Sequence, residues 1–176
     1  MKDNFLLLSC CAPCSVAVIK TLAEQNAKFA VVFYNPNIVP ETEYVKRRDE
    51  NAKVCELYNV PFIELEYDNN TWCNVIKGYE NEPERGKRCS LCFAMRLKRT
   101  MEYAKENGFS GIASVLGASR YKNLQQVNEA AHKMSLETGV EYFEIEARRG
   151  GMQELSNKLR IDLNLYHQDY CGCKPR

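Results

Sequence analysis

Hydrophobic and polar positions along the chain alternate between short apolar runs and longer stretches with helical spacing. Phe5-Leu6-Leu7-Leu8 is an uninterrupted apolar run, the pattern of a strand covered on both faces. Pro13 opens a helical stretch that runs to about Asn26, at a position proline tolerates well. Phe29 to Tyr34 reads as a second strand, stopped by the Asn35-Pro36-Asn37 breaker. Glu41 to Tyr58 is helical with mixed charges on its outer face, and Pro61 to Leu65 is a third strand. Asn69 to Tyr79 reads as a short helix, followed by a charged turn from Glu82 to Arg88. A long helix spans Cys89 to Asn107 and meets a stopping glycine, Gly108. Gly111 to Leu116 is a fourth strand, Asn123 to Thr138 a helix ended by Gly139, Tyr142 to Ile145 a fifth strand, and Met152 to Leu165 a last helix. The tail from Tyr166 to Arg176 carries no periodicity.

This βαβα order predicts one α/β domain over residues 1–176, with a mostly parallel five-stranded sheet and helices on both faces. Sites in such sheets gather at the carboxyl ends of the strands, near the point where strand order reverses.

Composition adds limits. The chain has 176 residues, 45% hydrophobic and 27% charged, so it can bury a core without covalent staples. Lys+Arg 24 against Asp+Glu 23 leaves a net charge of +1, which excludes a uniformly basic nucleic-acid-coating protein but not a local basic patch. The apolar runs are far shorter than the roughly 20 residues a membrane span needs. No signal-like apolar segment follows Met1, so a cytoplasmic location without membrane contact is expected.

The unusual residue is cysteine, with nine in the chain. In a reducing compartment, clustered cysteines are metal ligands or redox thiols rather than disulfide staples. Cys10-Cys11-Ala12-Pro13-Cys14 follows the first strand and starts the first helix. Adjacent strand residues point to opposite faces, so Cys10 and Cys11 share a centre only if the chain turns there. Pro13 favours that turn by restricting itself and Ala12. Cys14 can be a ligand, a thiol behind the ligands, or helix packing. Cys89-Ser90-Leu91-Cys92 opens the long helix with two cysteines at i and i+3 on one face. Lys87, Arg88 and the helix N-terminus are expected to lower both thiols. Cys171-Gly172-Cys173 lies in the tail, where Gly172 gives the backbone freedom for a two-thiolate metal site or a small labile disulfide ring. Cys55 and Cys73 stand singly and read as core packing.

Four thiolates suit zinc and a 4Fe–4S cluster equally. A closed zinc site leaves Cys171 and Cys173 without a task, whereas an iron–sulfur cluster beside a dithiol or second metal lets them pass electrons. The metal site is therefore expected where the 10–14 loop, the 89–92 helix start and the 166–176 tail meet. No phosphate loop and no dinucleotide fingerprint are present. Gly150-Gly151, after Arg148-Arg149, reads either as an anion nest or as a plain turn.

Four segments together carry a resemblance: Cys10-Cys11-Ala12-Pro13-Cys14-Ser15, Phe33-Tyr34-Asn35-Pro36-Asn37-Ile38, Glu82 through Cys92, and Gln168-Asp169-Tyr170-Cys171-Gly172-Cys173. In order and spacing they resemble the QueH family of epoxyqueuosine reductases over essentially the whole chain. The resemblance implies a Rossmann-like fold related to adenine-nucleotide hydrolases. It implies reduction of the epoxide of epoxyqueuosine, at a tRNA wobble position, to the alkene of queuosine. It further implies a 4Fe–4S cluster at Cys10, Cys11, Cys89 and Cys92, with Cys171 and Cys173 as a redox pair or as ligands of a second, mononuclear iron. An external electron donor is required. One departure is Ser119-Arg120-Tyr121-Lys122-Asn123, where many relatives read Ser-Pro-His-Lys-Asp, so no role passes to a His or Asp there.

Removing an epoxide oxygen takes two electrons and two protons, and a proton donor must stand within hydrogen-bond reach. Asp169 and Tyr170 are candidates because they adjoin the Cys-Gly-Cys pair; His167 is a weaker one, and His132 lies mid-helix with no catalytic task. A tRNA partner directs attention to the basic stretch of Arg85, Lys87, Arg88 and Arg96, continued by Lys98, Arg99 and Lys105, as phosphate contacts. Arg120 extends this substrate-binding set. Tyr34, Trp72 or Tyr170 can stack on a splayed base, while Asn35 and Asn37 either bond a nucleobase or simply make the turn. Two other readings of the same cysteines are a zinc-stabilised RNA-binding module and a metal-free dithiol oxidoreductase.

Overall fold

The computed structural model describes residues 4–168 and 170–174. The elements run β1 (Phe5–Ser9), α1 (Ala12–Glu24), β2 (Phe29–Phe33), α2 (Glu41–Leu57), β3 (Phe62–Glu64), α3 (Asn69–Val75), α4 (Lys87–Glu106) and β4 (Gly111–Ser114). A single 3-10 turn (Leu116–Ala118), α5 (Leu124–Thr138), β5 (Glu141–Phe143) and α6 (Met152–Asp162) complete them. The five strands form one sheet of order β3-β2-β1-β4-β5, every neighbouring pair parallel.

Strand β1 is central and fully buried, Leu6 pairing with Ala30 of β2 on one side and Ile112 of β4 on the other. Its alternating residues feed two core layers, as the strand period of two requires. Leu6 and Leu8 pack with Phe93, Leu97 and Met101 of α4 and with Val127 and Ala131 of α5. Phe5 and Leu7 pack on the other face with Val16, Ile19 and Leu22 of α1. Gly111 lets β4 approach β5, since a Cβ there would stand 2.6 Å from the Glu141 carbonyl oxygen. The chain builds outward from β1 to β3 and then restarts at β4 beside β1. The order therefore reverses between β1 and β4, and the site is expected at their carboxyl ends.

Several expectations are corrected. Helix α4 begins at Lys87 rather than Cys89, because Gly86 holds extended backbone ahead of it; Cys89 thus sits in its first turn. Helix α3 ends at Val75, short of Tyr79, and the fourth strand gives way to the 3-10 turn before Leu116. The charges of α2 are not all outward. Glu43, Arg47 and Asn51, spaced i, i+4 and i+8 on one helical face, are buried against the carboxyl end of β1 and the tail. Cys55 is fully buried as expected, but Cys73 is exposed on α3.

Candidate functional site

The site begins where β1 ends. Cys11 has extended backbone and caps α1, so the chain turns between Cys10 and the helix, and Cys14 comes round one turn later. The sulfurs of Cys10, Cys11 and Cys14 all lie within 4.8 Å of one another, with Cys10 and Cys11 3.8 Å apart. One proton is missing most readily at Cys10. Hydrogen bonds from the Cys11 and Cys14 thiols, and the Lys122 ammonium 3.3 Å away, hold its thiol well below the usual range despite burial. Its ionised sulfur in turn pushes Cys11 up to about 12 and lifts Cys14.

Lys122 belongs to the loop after β4, so both sides of the switch point contribute. Arg148 pins that loop through Nη2, donating to the carbonyls of Ser119 (2.6 Å) and Lys122 (2.8 Å). The turn behind Arg148 carries its own anion, because the Glu146 carboxylate accepts the N–H groups of Arg148 and Arg149. The Gly150-Gly151 pair has positive φ at both residues and opens α6 as a left-handed turn.

The tail is drawn in by Arg47. Its Nε donates to Glu43 at 2.7 Å, its Nη1 to the Cys171 carbonyl at 2.9 Å, and its Nη2 to the Tyr170 carbonyl. Tyr166 donates its hydroxyl to the second Glu43 oxygen, and the Val39 N–H bonds the Gly172 carbonyl. Gly172 has φ +100°, and a Cβ there would stand 3.1 Å from both Arg47 terminal nitrogens, so only glycine fits. Cys171 is thereby placed close enough to feel charge on Cys10, Cys89 and Cys92. Its thiol is pulled down to about 6, first by the Cys173 S–H and then by Lys122 and Arg96, while Cys173 is pushed up.

Cys92 is buried with Trp72 and Ile76, and Cys173 packs against the same group. Cys89 accepts the Arg85 backbone N–H at 3.3 Å. Contrary to the sequence-based expectation, both thiols of α4 are raised, because desolvation outweighs the neighbouring cations. Lys87 is turned onto the Tyr79 ring, 4.5 Å from its centroid, and Arg88 is spent on the Glu80 carbonyl.

A cavity of about 430 Å³ opens beside the sulfurs. It is bounded by Cys10, Cys11, Cys14 and Cys171, by the loop Ser119–Lys122, and by one face of α6. Tyr170, His167 and Arg120 also line it. The residues picked out as substrate contacts divide. Arg120 lines the cavity and Arg85 donates to the Arg120 carbonyl at 2.7 Å. Tyr34, Asn35, Asn37 and Arg88 are buried away from it. Asn35 donates to the Ser9 carbonyl and accepts from Arg96, which is itself fully buried and so cannot meet a phosphate. His132 pairs with Glu144 at the surface. Asp169 lies outside the described residues. Sequence reasoning missed Lys122, Arg47 and α6 as parts of the site. The helical spacing of Glu43, Arg47 and Asn51 gave no signal for Arg47, because an i, i+4 ion pair reads equally well as a solvated helix face.

The donor set fits a sulfur-bound metal group: soft ligands, an ionised cysteine at a helix start, and a buried ammonium that balances negative charge. No helix among the described residues is long and apolar enough to cross a membrane.

Comparison with known proteins adds the relationship. The family model described as epoxyqueuosine reductase QueH matches residues 5–174. The chain is 43% identical to epoxyqueuosine reductase QueH of Acinetobacter baylyi, over 97% of this chain and 79% of that protein. For the namesakes in Histophilus somni and Haemophilus influenzae the identities are 42% and 40%, covering 97% of this chain and 71% and 70% of theirs. Among solved structures, the U34-tRNA thiolase NcsA from Methanococcus maripaludis with its 4Fe–4S cluster superposes with TM-score 0.60 at 18% identity. That match covers 99% of this chain and 62% of the thiolase, and it establishes the α/β fold. By the family match and the extent of identity, the chain belongs to the QueH family of epoxyqueuosine reductases.

Proposed function

We propose that this protein reduces the epoxide of epoxyqueuosine in tRNA to the alkene of queuosine. The observation that carries the reading, alongside family membership, is that one cavity is lined by the clustered Cys10, Cys11 and Cys14 together with Cys171 of the distant tail. The reaction balances as epoxide plus two electrons and two protons giving alkene and water, so both carbon–oxygen bonds break and an external donor supplies the electrons.

The residues that would hold a 4Fe–4S cluster are Cys10 and Cys11 with Cys89 and Cys92, and Cys14 stands within 4.8 Å of the first two as a further sulfur. Such a cluster supplies one-electron transfer when bound. Cys171 and Cys173 then serve as a dithiol relay or as ligands of a second iron. The chain's own work is to bring Cys10, Cys11, Cys14 and Cys171 to one opening, to hold negative charge there with Lys122, and to keep a proton donor within reach of the departing oxygen. Tyr170 and His167 both line the cavity, and Tyr170 is our candidate for that last task. The tRNA anticodon is splayed so that the modified base enters the cavity, with Arg120 and Arg85 at its margin. A tRNA substrate of this kind accords with work in the cytoplasm.

The test is anaerobic iron–sulfide reconstitution followed by conversion of epoxyqueuosine tRNA in the presence of a reductant. Brown protein that forms queuosine, with Cys171→Ser abolishing conversion and sparing tRNA binding, is the expected result. Colourless protein with stoichiometric zinc and indifferent tail variants would instead establish the RNA-binding module. Full conversion after complete iron removal would establish the metal-free dithiol enzyme.

A further inference from the structure

One wall of the cavity is built from side chains to which the reduction gives no task. Helix α6 presents Gln153, Asn157 and Arg160 to the cavity, spaced i, i+4 and i+7 along one helical face. Ser156 of the same helix donates to the Pro13 carbonyl, which seats α6 directly against the cysteine loop. Gln168 of the tail completes this wall.

Two features mark it as a recognition surface. The Gln168 Oε1 is buried and accepts no hydrogen bond among the described residues. A buried acceptor without a partner is destabilising unless a ligand or water satisfies it. The cavity also carries no carboxylate among its described lining residues, and its cations differ in commitment. Arg47 is taken by Glu43 and the tail carbonyls, Lys122 donates to the Cys10 sulfur, and Arg120 donates to the Tyr121 hydroxyl. Arg160 is half-buried, and its guanidinium makes no ion pair or hydrogen bond among the described residues. An unpaired guanidinium at an opening whose described lining holds no carboxylate is suited to a phosphate.

We propose that this wall reads the modified nucleotide: Gln168 Oε1 accepts a hydrogen bond from an O–H or N–H of the modified base beside its epoxide, and Arg160 contacts a phosphate of the tRNA backbone. The proposal rests on the cavity being the epoxyqueuosine site. It divides the work as nucleic-acid interfaces do, with a polar side chain specifying the base and a cation positioning the backbone.

The test measures binding of anaerobically reconstituted protein to one tRNA in two forms, carrying epoxyqueuosine or guanine at the wobble position, across a salt series. Wild type is expected to prefer the modified form. Gln168→Met should reduce that preference roughly five- to tenfold, the worth of one hydrogen bond, with guanine-tRNA binding and iron content unchanged. Gln168→Glu keeps an acceptor in place and should retain the preference, which separates recognition from misfolding. Arg160→Gln should weaken both forms by the same factor and reduce the slope of log K against log salt by about 0.7–0.9. An undiminished preference in Gln168→Met, or an unchanged salt slope in Arg160→Gln, overturns the corresponding half of the proposal. If wild type shows no preference and forms no queuosine, it is the functional reading that fails.

Discussion

The Lys122 ammonium stands 3.3 Å from the Cys10 sulfur, although 112 positions separate the two in sequence. Burial alone would pull the lysine toward its neutral form, but the ionised sulfurs of Cys10 and Cys171 outweigh it and raise its pKa. The two charges support each other: neither would be tolerated there alone. The loop after β4 thereby completes the thiol site that β1 begins.

Removing that ammonium should make the cysteine loop less reactive. In metal-free Lys122→Met, alkylation of the peptide bearing Cys10, Cys11 and Cys14 should slow most at the acid end of its pH profile, where loss of the adjacent ammonium leaves Cys10 less ionised. Lys122→Arg should recover most of the rate. Mass spectrometry of timed iodoacetamide quenches checks this, and an unchanged rate would show that the contact does not govern the thiolate.

Arg47 should be among the most costly residues to replace. Arg47→Met leaves Glu43 buried without its cation, a loss of about 3–5 kcal/mol for a broken buried pair. Because the same guanidinium bonds the Tyr170 and Cys171 carbonyls, the tail should also become protease-sensitive. Urea unfolding and limited proteolysis read the two effects. Gly172→Ala should loosen the tail similarly, since its Cβ would press on Arg47 at a positive φ.

Asn51 ties α2 to the end of β1. Its Oδ1 accepts the hydroxyls of Ser9 (2.6 Å) and Ser15 (3.2 Å), and its Nδ2 donates to the Arg47 carbonyl at 2.8 Å. Asn51→Ala leaves the fully buried Ser9 hydroxyl without its acceptor, while Ser15 keeps the Cys11 and Ala12 carbonyls, and should cost about 1–3 kcal/mol in a urea titration. A cost within error of zero would mean that the Ser9 hydroxyl finds another partner.

The two solitary cysteines should separate cleanly by reactivity. Cys55 is fully buried, and desolvation pushes its thiol up to about 12, whereas Cys73 is exposed on α3. Brief maleimide treatment of native protein should label Cys73 and spare Cys55, with both labelled after denaturation. Peptide mapping decides it; early labelling of Cys55 would place it outside the core.

The sequence by itself determined the α/β alternation, because burial of β1 on both faces demands an uninterrupted apolar run and the helices demand their own period. It also exposed the three paired-cysteine motifs, since sulfur so placed has few other uses in a chain able to bury a large core. It did not determine which charges face inward. Glu43 and Arg47 look like any solvated helix pair until the tail folds over them, and Arg96 looks like a surface cation until Asn35 and the Tyr34 carbonyl surround it. The α6 wall was equally hidden, because nothing local to Gln153 or Arg160 records that their helix lies against Pro13. Local pattern is set by neighbours along the chain, whereas desolvation and charge pairing are set by neighbours in space, and those were decided only when β1, β4 and the tail met at the switch point.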